Sequence, residues 1–416
     1  MTESTIHNPD RYMVDLRQIL SQGKKRIGLL IGAGAPTAIK VDAAGHVAEN
    51  GSALIPDVAR LTDLVVKALS EADQNLLTKL TAKLKAETKV EPNIEAILTR
   101  VRRLAEAIGS EKVHGLDGPE YVSLGERICE QIGLKVSPVL PAQPNPYTEL
   151  ISWIGGTHRE HPVEIFTPNY DLLFEEAFER ARLPYFDGFT GAHQPFFDPA
   201  SISNDKLPAR WSRIWKLHGS LGWDVKDDSV IRTGNRQATK LIFPDHLKYD
   251  EITRQPYSAL FERLREFLTT PDSLLICSGF SFFDAHICAV LDESLSANTH
   301  TAIFAFQYRN LADEGLATKL AMNRPNLSVY ARDGAVIFGV QGNWQPGQPP
   351  TEDWTSIRRT FWKNSSGEEP AQFLLGDFAK LAHFFALAQA SKTILSKEAE
   401  TKESDTKLAA AAEITP

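Results

Sequence analysis

Four apolar, β-rich runs, each closed by a short turn of small and polar residues, constrain this chain more than any other feature. The turns are Ile31-Gly32-Ala33-Gly34, Thr167-Pro168-Asn169-Tyr170-Asp171, Lys216-Leu217-His218-Gly219-Ser220 and Ser278-Gly279-Phe280-Ser281. The runs before them, Arg26 to Ile31, Val163 to Thr167, Ile214 to Leu217 and Leu274 to Ser278, are short, mainly apolar and β-rich, which is the pattern of strands buried on both faces. Thr301 to Phe306 and Leu327 to Tyr330 read as two further strands, the second as the last one. Helical patterns over Leu172 to Ala181, Ala285 to Leu295 and Leu311 to Met322 alternate with them. Strands alternating with helices build βαβ units, so the expected fold is α/β: a Rossmann-like doubly wound parallel sheet with a helical insertion and C-terminal helices.

The insertion lies between the first two core strands, over 57–160. Leu61, Leu64, Val65 and Leu69 recur at helical spacing, as do Ile94, Ile97, Leu98, Val101 and Leu104. Glu120 to Ile132 and Tyr147 to Ile154 add two more helices around a Pro-rich stretch. Between Gly222 and Tyr249 the chain is polar and turn-rich, as a hairpin or small flap would be. A Pro/Gly-rich linker, Gln345 to Pro350, leads to helices near Thr355 to Trp362 and Ala371 to Ala390. The expected organisation is therefore a sheet domain over 1–342, with core strands at 26–31 and 163–330, a helical extension over 343–390 and a tail over 391–416. The tail is Lys/Glu/Ala-rich, and burial cannot offset its ordering entropy, so it is expected to be disordered.

Composition removes several classes of function. The 416 residues carry a net charge of −8, which opposes a broadly basic nucleic-acid surface, and direct nucleic-acid binding is not expected. No stretch approaches the roughly 20 apolar residues that cross a bilayer. Cys129, Cys277 and Cys288 are the only cysteines and form no C-x-x-C pair, whereas a structural zinc site needs about four N/S ligands. No zinc is expected. Cys277 and Cys288 sit in apolar surroundings and read as buried small hydrophobes; a reducing cytoplasm is the expected compartment.

Each turn has a bland and a chemical reading. Gly32, Ala33 and Gly34 let backbone approach a phosphate, or they relieve crowding at a strand end. Asn169 and Asp171 can both face a crevice, or cap a helix. His218, followed by Gly219, can project into that crevice as a base near neutral pH. Asp284, in Phe282-Phe283-Asp284-Ala285-His286-Ile287, is a site residue, or a helix cap with Phe282 and Phe283 in the core.

Taken in this order, the four turns resemble the NAD site of the sirtuin superfamily. Thr167 to Asp171 matches its T-x-N-x-D, Leu217 to Ser220 its L-H-G-S, and Ser278 to Ser281 its G-x-S. The spacing to Asp284 resembles the G-x-S-x-x-D-x-x-I of bacterial sirtuin-like proteins. Departures occur where the family places Ser after the glycines, for which Thr37 stands one or two positions late, and at Ile55-Pro56-Asp57, which lacks the following Phe and Arg; Arg60 is the nearest arginine. The resemblance implies NAD as substrate, bound by Gly32, Ala33, Gly34, Thr37, Asp57, Thr167, Tyr170, Gly279, Phe280, Ser281 and Asp284. It implies Asn169, His218 and Asp171 as catalytic residues: Asn169 holds the water or a ribose hydroxyl, Asp171 the nicotinamide carboxamide, and His218 takes the proton.

The resemblance stops short of the four-cysteine zinc module that sirtuin deacylases carry; without it the peptide groove of a deacylase lacks its second wall, so water is the expected nucleophile, giving ADP-ribose, or its cyclic form, and nicotinamide. Zinc-free bacterial relatives deplete NAD in antiphage defence (abortive infection) only when triggered, several with a HerA/FtsK-type hexameric ATPase or an Argonaute-like sensor. The expectation is a homo-oligomer under such control, its helical insert and C-terminal helices serving as interfaces or as plain cover for the sheet. The alternatives are an NAD- or ADP-ribose-binding regulatory scaffold for a partner ATPase, and a zinc-free deacylase or ADP-ribosyltransferase.

Overall fold

The structure is a computed structural model and describes residues 5–89, 91–203, 206–227, 229–237, 255–348, 354–366 and 370–388. The expected tail over 391–416 lies outside the described residues, as does most of the flap segment beyond 237. The main sheet has ten strands: β1 (Ile6–His7), β2 (Arg26–Ile31), β3 (Glu164–Thr167), β4 (Tyr185–Phe186), β5 (Ser212–Lys216), β6 (Ser273–Ser278), β7 (Ala302–Phe306), β8 (Leu327–Tyr330), β9 (Gly334–Ile337) and β10 (Val340–Trp344). They run in the order β1-β10-β9-β8-β7-β6-β2-β3-β5-β4. All neighbours from β8 to β4 are parallel. From β2 the chain moves to β3 on one side and later returns to β6 on the other, so the order reverses beside β2. That reversal opens a crevice at the carboxyl ends of the strands, as doubly wound sheets do.

The apolar runs become central strands because both faces need cover. Ile27, Leu29 and Ile31 of β2 enter one core together with Leu274 and Ile276 of β6, while Leu30, Leu275 and Cys277 enter the other. The period of two of a strand thus divides each run between two helical layers. The first layer contains the helical insertion: α2 (Val58–Ala68), α3 (Glu71–Thr88), α4 (Ile94–Ile108), α5 (Gly118–Val136) and α6 (Pro146–Gly156). These follow α1 (Pro9–Gln22). Their starts are written in the sequence: Asp57, Ser70, Asn93, Asp117 and Asn145 each accept a backbone amide at a helix N-terminus, and such caps contribute about 1 kcal/mol apiece. After β3 come α7 (Leu173–Ala181), α8 (Tyr257–Thr269), α9 (Ala285–Ala297), α10 (Gly315–Asn323) and α11 (Trp354–Phe361), and a last helix occupies 378–388.

Three features differ from the sequence reading. Leu327–Tyr330 is not the last strand, because β9 and β10 extend the sheet antiparallel and β10 pairs with β1 at the edge. The Phe338-Gly339 turn between them has positive φ at both residues, 52° and 77°, which suits a two-residue hairpin. Strand Val340–Trp344 therefore crosses the boundary placed at 342. Helix α8 was not anticipated, although Leu260, Phe261, Leu264, Phe267 and Leu268 give it a plain apolar stripe; it covers the second face. The expected hairpin forms as Trp223–Lys226 and Ser229–Arg232, part of a separate four-stranded sheet. Among the described residues, no helix is long and apolar enough to cross a membrane.

Buried charge fastens these layers. Glu164 of β3 receives Arg263 of α8 through Nε at 2.8 Å and Nη2 at 2.6 Å, and the Trp215 indole of β5 donates to it at 2.8 Å. Asp10, in the first turn of α1, accepts from Trp354 at 3.0 Å and from Arg358 Nε at 2.8 Å, tying α11 to the start of the chain. Breaking a buried pair leaves the other charge uncompensated. Glu164→Gln is expected to cost about 3 kcal/mol in urea unfolding, the low end of the range because Glu266 still faces Arg263. A loss within experimental error would show that the pair does not fasten α8.

Candidate active site

The four turns meet. Gly32 N donates to Ser278 O at 3.0 Å, and Gly34 N to Gly279 O at 2.9 Å, joining the first turn to the fourth. No side chain fits between them: a Cβ on Gly32 would lie 2.7 Å from Phe280 Cα, and one on Gly279 2.5 Å from Ala35 N. Gly279 also has φ +63°, the left-handed region open to glycine. Thr167 is buried beneath this contact, its hydroxyl donating to Ile31 O at 2.7 Å and accepting from Asn169 N at 3.1 Å. Asn169 Nδ2 donates to Gly32 O at 3.1 Å, and Leu217 N to Thr167 O at 2.8 Å. Finally His218 Nε2 lies 2.9 Å from Asp284 Oδ2, linking the third turn to the start of α9.

Above this floor is a cleft of about 1900 Å³, walled by α2, α4 and the 376–378 segment. Ala33, Gly34, Thr37, Asp57, Asn169, Tyr170, Asp171 and His218 line it on the β2, β3 and β5 side. Gly279, Phe280, Ser281 and Asp284 line it on the β6 side. Gly32 and Thr167 do not line it; they hold the backbone that does. Thr37 directs its hydroxyl proton to Gly34 O at 2.7 Å, and so offers lone pairs where an anion needs a donor. Asp57 caps α2 through Arg60 N at 2.8 Å, and Arg60 is exposed at the rim. The cap reading of Asp284 also holds, since it accepts from His286 N and Ile287 N at 3.0 Å each, whereas the N-cap position of α7 is Leu172 and Asp171, one residue earlier, accepts from Leu173 N at 3.1 Å. Capping and lining the cleft are compatible, since a strand end in this fold is also the start of the next helix.

Phe283 corrects the core assignment for the two phenylalanines. Phe282 is buried with φ +60°, but Phe283 is 70% exposed and lines the cleft. The left-handed residue turns the chain so that Asp284 faces His218 and Phe283 faces outward. Cys277 is buried as expected, whereas Cys288 is partly exposed, its thiol donating to Phe282 O. Among the cleft residues that sequence reasoning missed is Glu95, in the first turn of α4, which accepts from the Tyr170 hydroxyl at 3.5 Å.

The electrostatics follow from burial. Desolvation pushes the pKa of His218 down, but the Asp284 carboxylate, its contact, and Glu95 outweigh it, so the pKa stands above the ordinary value. Burial pushes Asp284 up, and His218 with the α9 amides more than reverses this. Burial raises the pKa of Asp171 above its ordinary value, against the pull of Lys216, whose Nζ donates to the Asp171 carbonyl. Glu95 is raised by burial, with the His218 charge opposing. Among the described residues, no group of three or more His, Cys, Asp or Glu is arranged to hold a metal.

Residues 163–327 match the family profile described as a SIR2-like domain, and the second, third and fourth turns lie within that match. No curated protein matches the chain. A solved structure described as "Structural Basis for the Mechanism and Regulation of Sir2 Enzymes" aligns over 73% of this chain and 89% of that chain, at 14% identity and a TM-score of 0.33.

Protonation of this pair has a measurable consequence for stability. A raised imidazole pKa stabilises the fold fully below the ordinary value of 6.5, and the gain is lost as pH rises through the folded value. A lowered carboxyl pKa stabilises above the ordinary 3.8 and is lost as pH falls through the folded value. The stability gap between wild type and His218→Gln, from urea unfolding, is expected to be widest between those limits and to close on the alkaline side. A gap that widens with rising pH would contradict the assignment.

Proposed function

We propose that the cleft binds NAD⁺ and that the chain is an NAD⁺ glycohydrolase, releasing nicotinamide and ADP-ribose. The observation that carries this reading is that His218, held by Asp284, and Asn169, held by Gly32, face one cleft floored by the four joined turns. The match of 163–327 to SIR2-like domains supports the substrate class. The pyrophosphate lies along the small turn Ala33-Gly34, where no bulky side chain keeps a ligand from the exposed backbone, and the adenosine end lies over Gly279 and Ser281.

At the other end Asp171 accepts from the carboxamide of nicotinamide, and Asn169 orients water at C1′ of the ribose. The bond from C1′ to the ring nitrogen breaks through an oxocarbenium-like state, and its electron pair leaves on nicotinamide. Water forms the new C1′–O bond, and its proton passes to His218, whose raised basicity suits it to accept. Asp284 steadies the imidazolium that results. Asn169→Ala and His218→Ala are each expected to lower nicotinamide release by about 10²–10⁴-fold in a folded protein. Undiminished release from folded His218→Ala would reject the assignment of roles; tight NAD binding without turnover would favour a binding scaffold instead.

Depletion of NAD in antiphage defence extends this proposal. Its support is the zinc-free motif set, together with the harm an ungoverned NAD hydrolase does to its host. Control then falls to assembly with further copies or with a HerA/FtsK-type ATPase or other defence sensor, in the cytoplasm.

A further inference from the structure

The carboxylates around the cleft are nearly all occupied. Asp57, Asp171, Asp284 and Asp377 accept backbone amides at helix starts. Glu87 pairs with Arg100, Glu91 with Lys85 and Glu314 with Arg309. Among the described residues, Glu95 is the one carboxylate lining the cleft that neither caps a helix nor lies within ion-pair distance of an Arg or Lys. It is half-buried, its near neighbour is the Tyr170 hydroxyl, and the charges that act on it are those of His218 and Asp284.

Its placement is secured from below. Asn93 caps α4 through Ala96 N at 2.9 Å, and Ile94 N donates to the Thr62 hydroxyl of α2 at 2.9 Å. Ile94, Ile97, Leu98 and Val101 bury the neighbouring stripe of the helix in the first core. An acidic residue in a first helical turn is ordinarily explained by the helix dipole. That explanation needs neither burial nor a tyrosine aimed at the carboxylate.

We propose that Glu95 is a positioning residue for His218: the helical insertion supplies the second of two carboxylates that act on the imidazole, and so forms a working part of the site. The other groups facing His218 are consistent with this. Asp284 comes from the turn after β6 with His286 beside it, and α8 presents the uncharged ring of Phe261, stacked at 6.3 Å. A second negative charge raises the basicity of the imidazole, and a stronger base takes a proton from the attacking water more readily. This inference rests on the reading of His218 as the proton acceptor, but its test does not need turnover.

The imidazole titration of His218 is followed by NMR in wild type and Glu95→Gln without NAD, the resonance being assigned by its loss in His218→Gln. The midpoint is expected to move to lower pH in Glu95→Gln and to lie between the two in Glu95→Asp, which keeps the charge on a shorter stem. With turnover, the acid limb of kcat/KM for NAD should move the same way while KM stays within about twofold, as expected when a group acts on the transition state and not on binding. An unchanged midpoint in folded Glu95→Gln, or a Glu95→Asp midpoint no higher than that of Glu95→Gln, would overturn the proposal. A shifted midpoint without NAD cleavage, by the protein alone or together with the proposed partner ATPase, would keep it and reject the hydrolase reading.

Discussion

Backbone lies directly on backbone where the turn after β2 meets the turn after β6, and the rest of the site depends on that contact. Gly32 and Gly34 donate to Ser278 and Gly279, and a Cβ on any of the three glycines would strike main chain. Because the two turns close on each other, the strand order reverses there with no side chain filling the crevice. The second turn is then hung from the first by Thr167 and Asn169, and the third from the second by Leu217. His218 reaches Asp284 because all four turns are held in one frame.

The frame also explains why so much charge is tolerated out of water. Burying an ion is costly unless it is paired and hydrogen-bonded. Asp284 has two α9 amides as well as His218, and Asp171 has an amide and the neighbouring Lys216. Helix starts thus serve twice: they satisfy carboxylates that the cleft requires, and those carboxylates satisfy amides that the helices leave open. His218 is 5% exposed; burial lowers its basicity, and the Asp284 and Glu95 carboxylates more than restore it.

The parallel core was legible because strands buried on both faces are apolar in their centres, as Ile27 to Ile31, Ile165-Phe166, Ile214-Trp215 and Leu274 to Cys277 are. The turns were legible because strand ends in such a sheet concentrate glycine, amide and imidazole groups. What escaped has physical reasons. Glu95 looks like any acidic residue at a helix start, and only tertiary packing brings it to the cleft that His218 lines. Phe282 and Phe283 are equally apolar in sequence; the left-handed backbone at Phe282 sends one inward and the other out. The β9–β10 hairpin hides behind Gln341, Gly342 and Asn343, polar or small residues that an antiparallel edge tolerates and a central parallel strand does not.

The central claim is that four strand ends, distant in sequence, form one NAD site with His218 at its reactive end. The most direct measurement is an experimental structure of the protein with ADP-ribose bound. The account predicts pyrophosphate at Ala33-Gly34, adenosine over Ser281, and the C1′ end of the distal ribose beside Asn169 and His218. ADP-ribose bound away from the four turns, or with its distal ribose pointing away from His218, would contradict it.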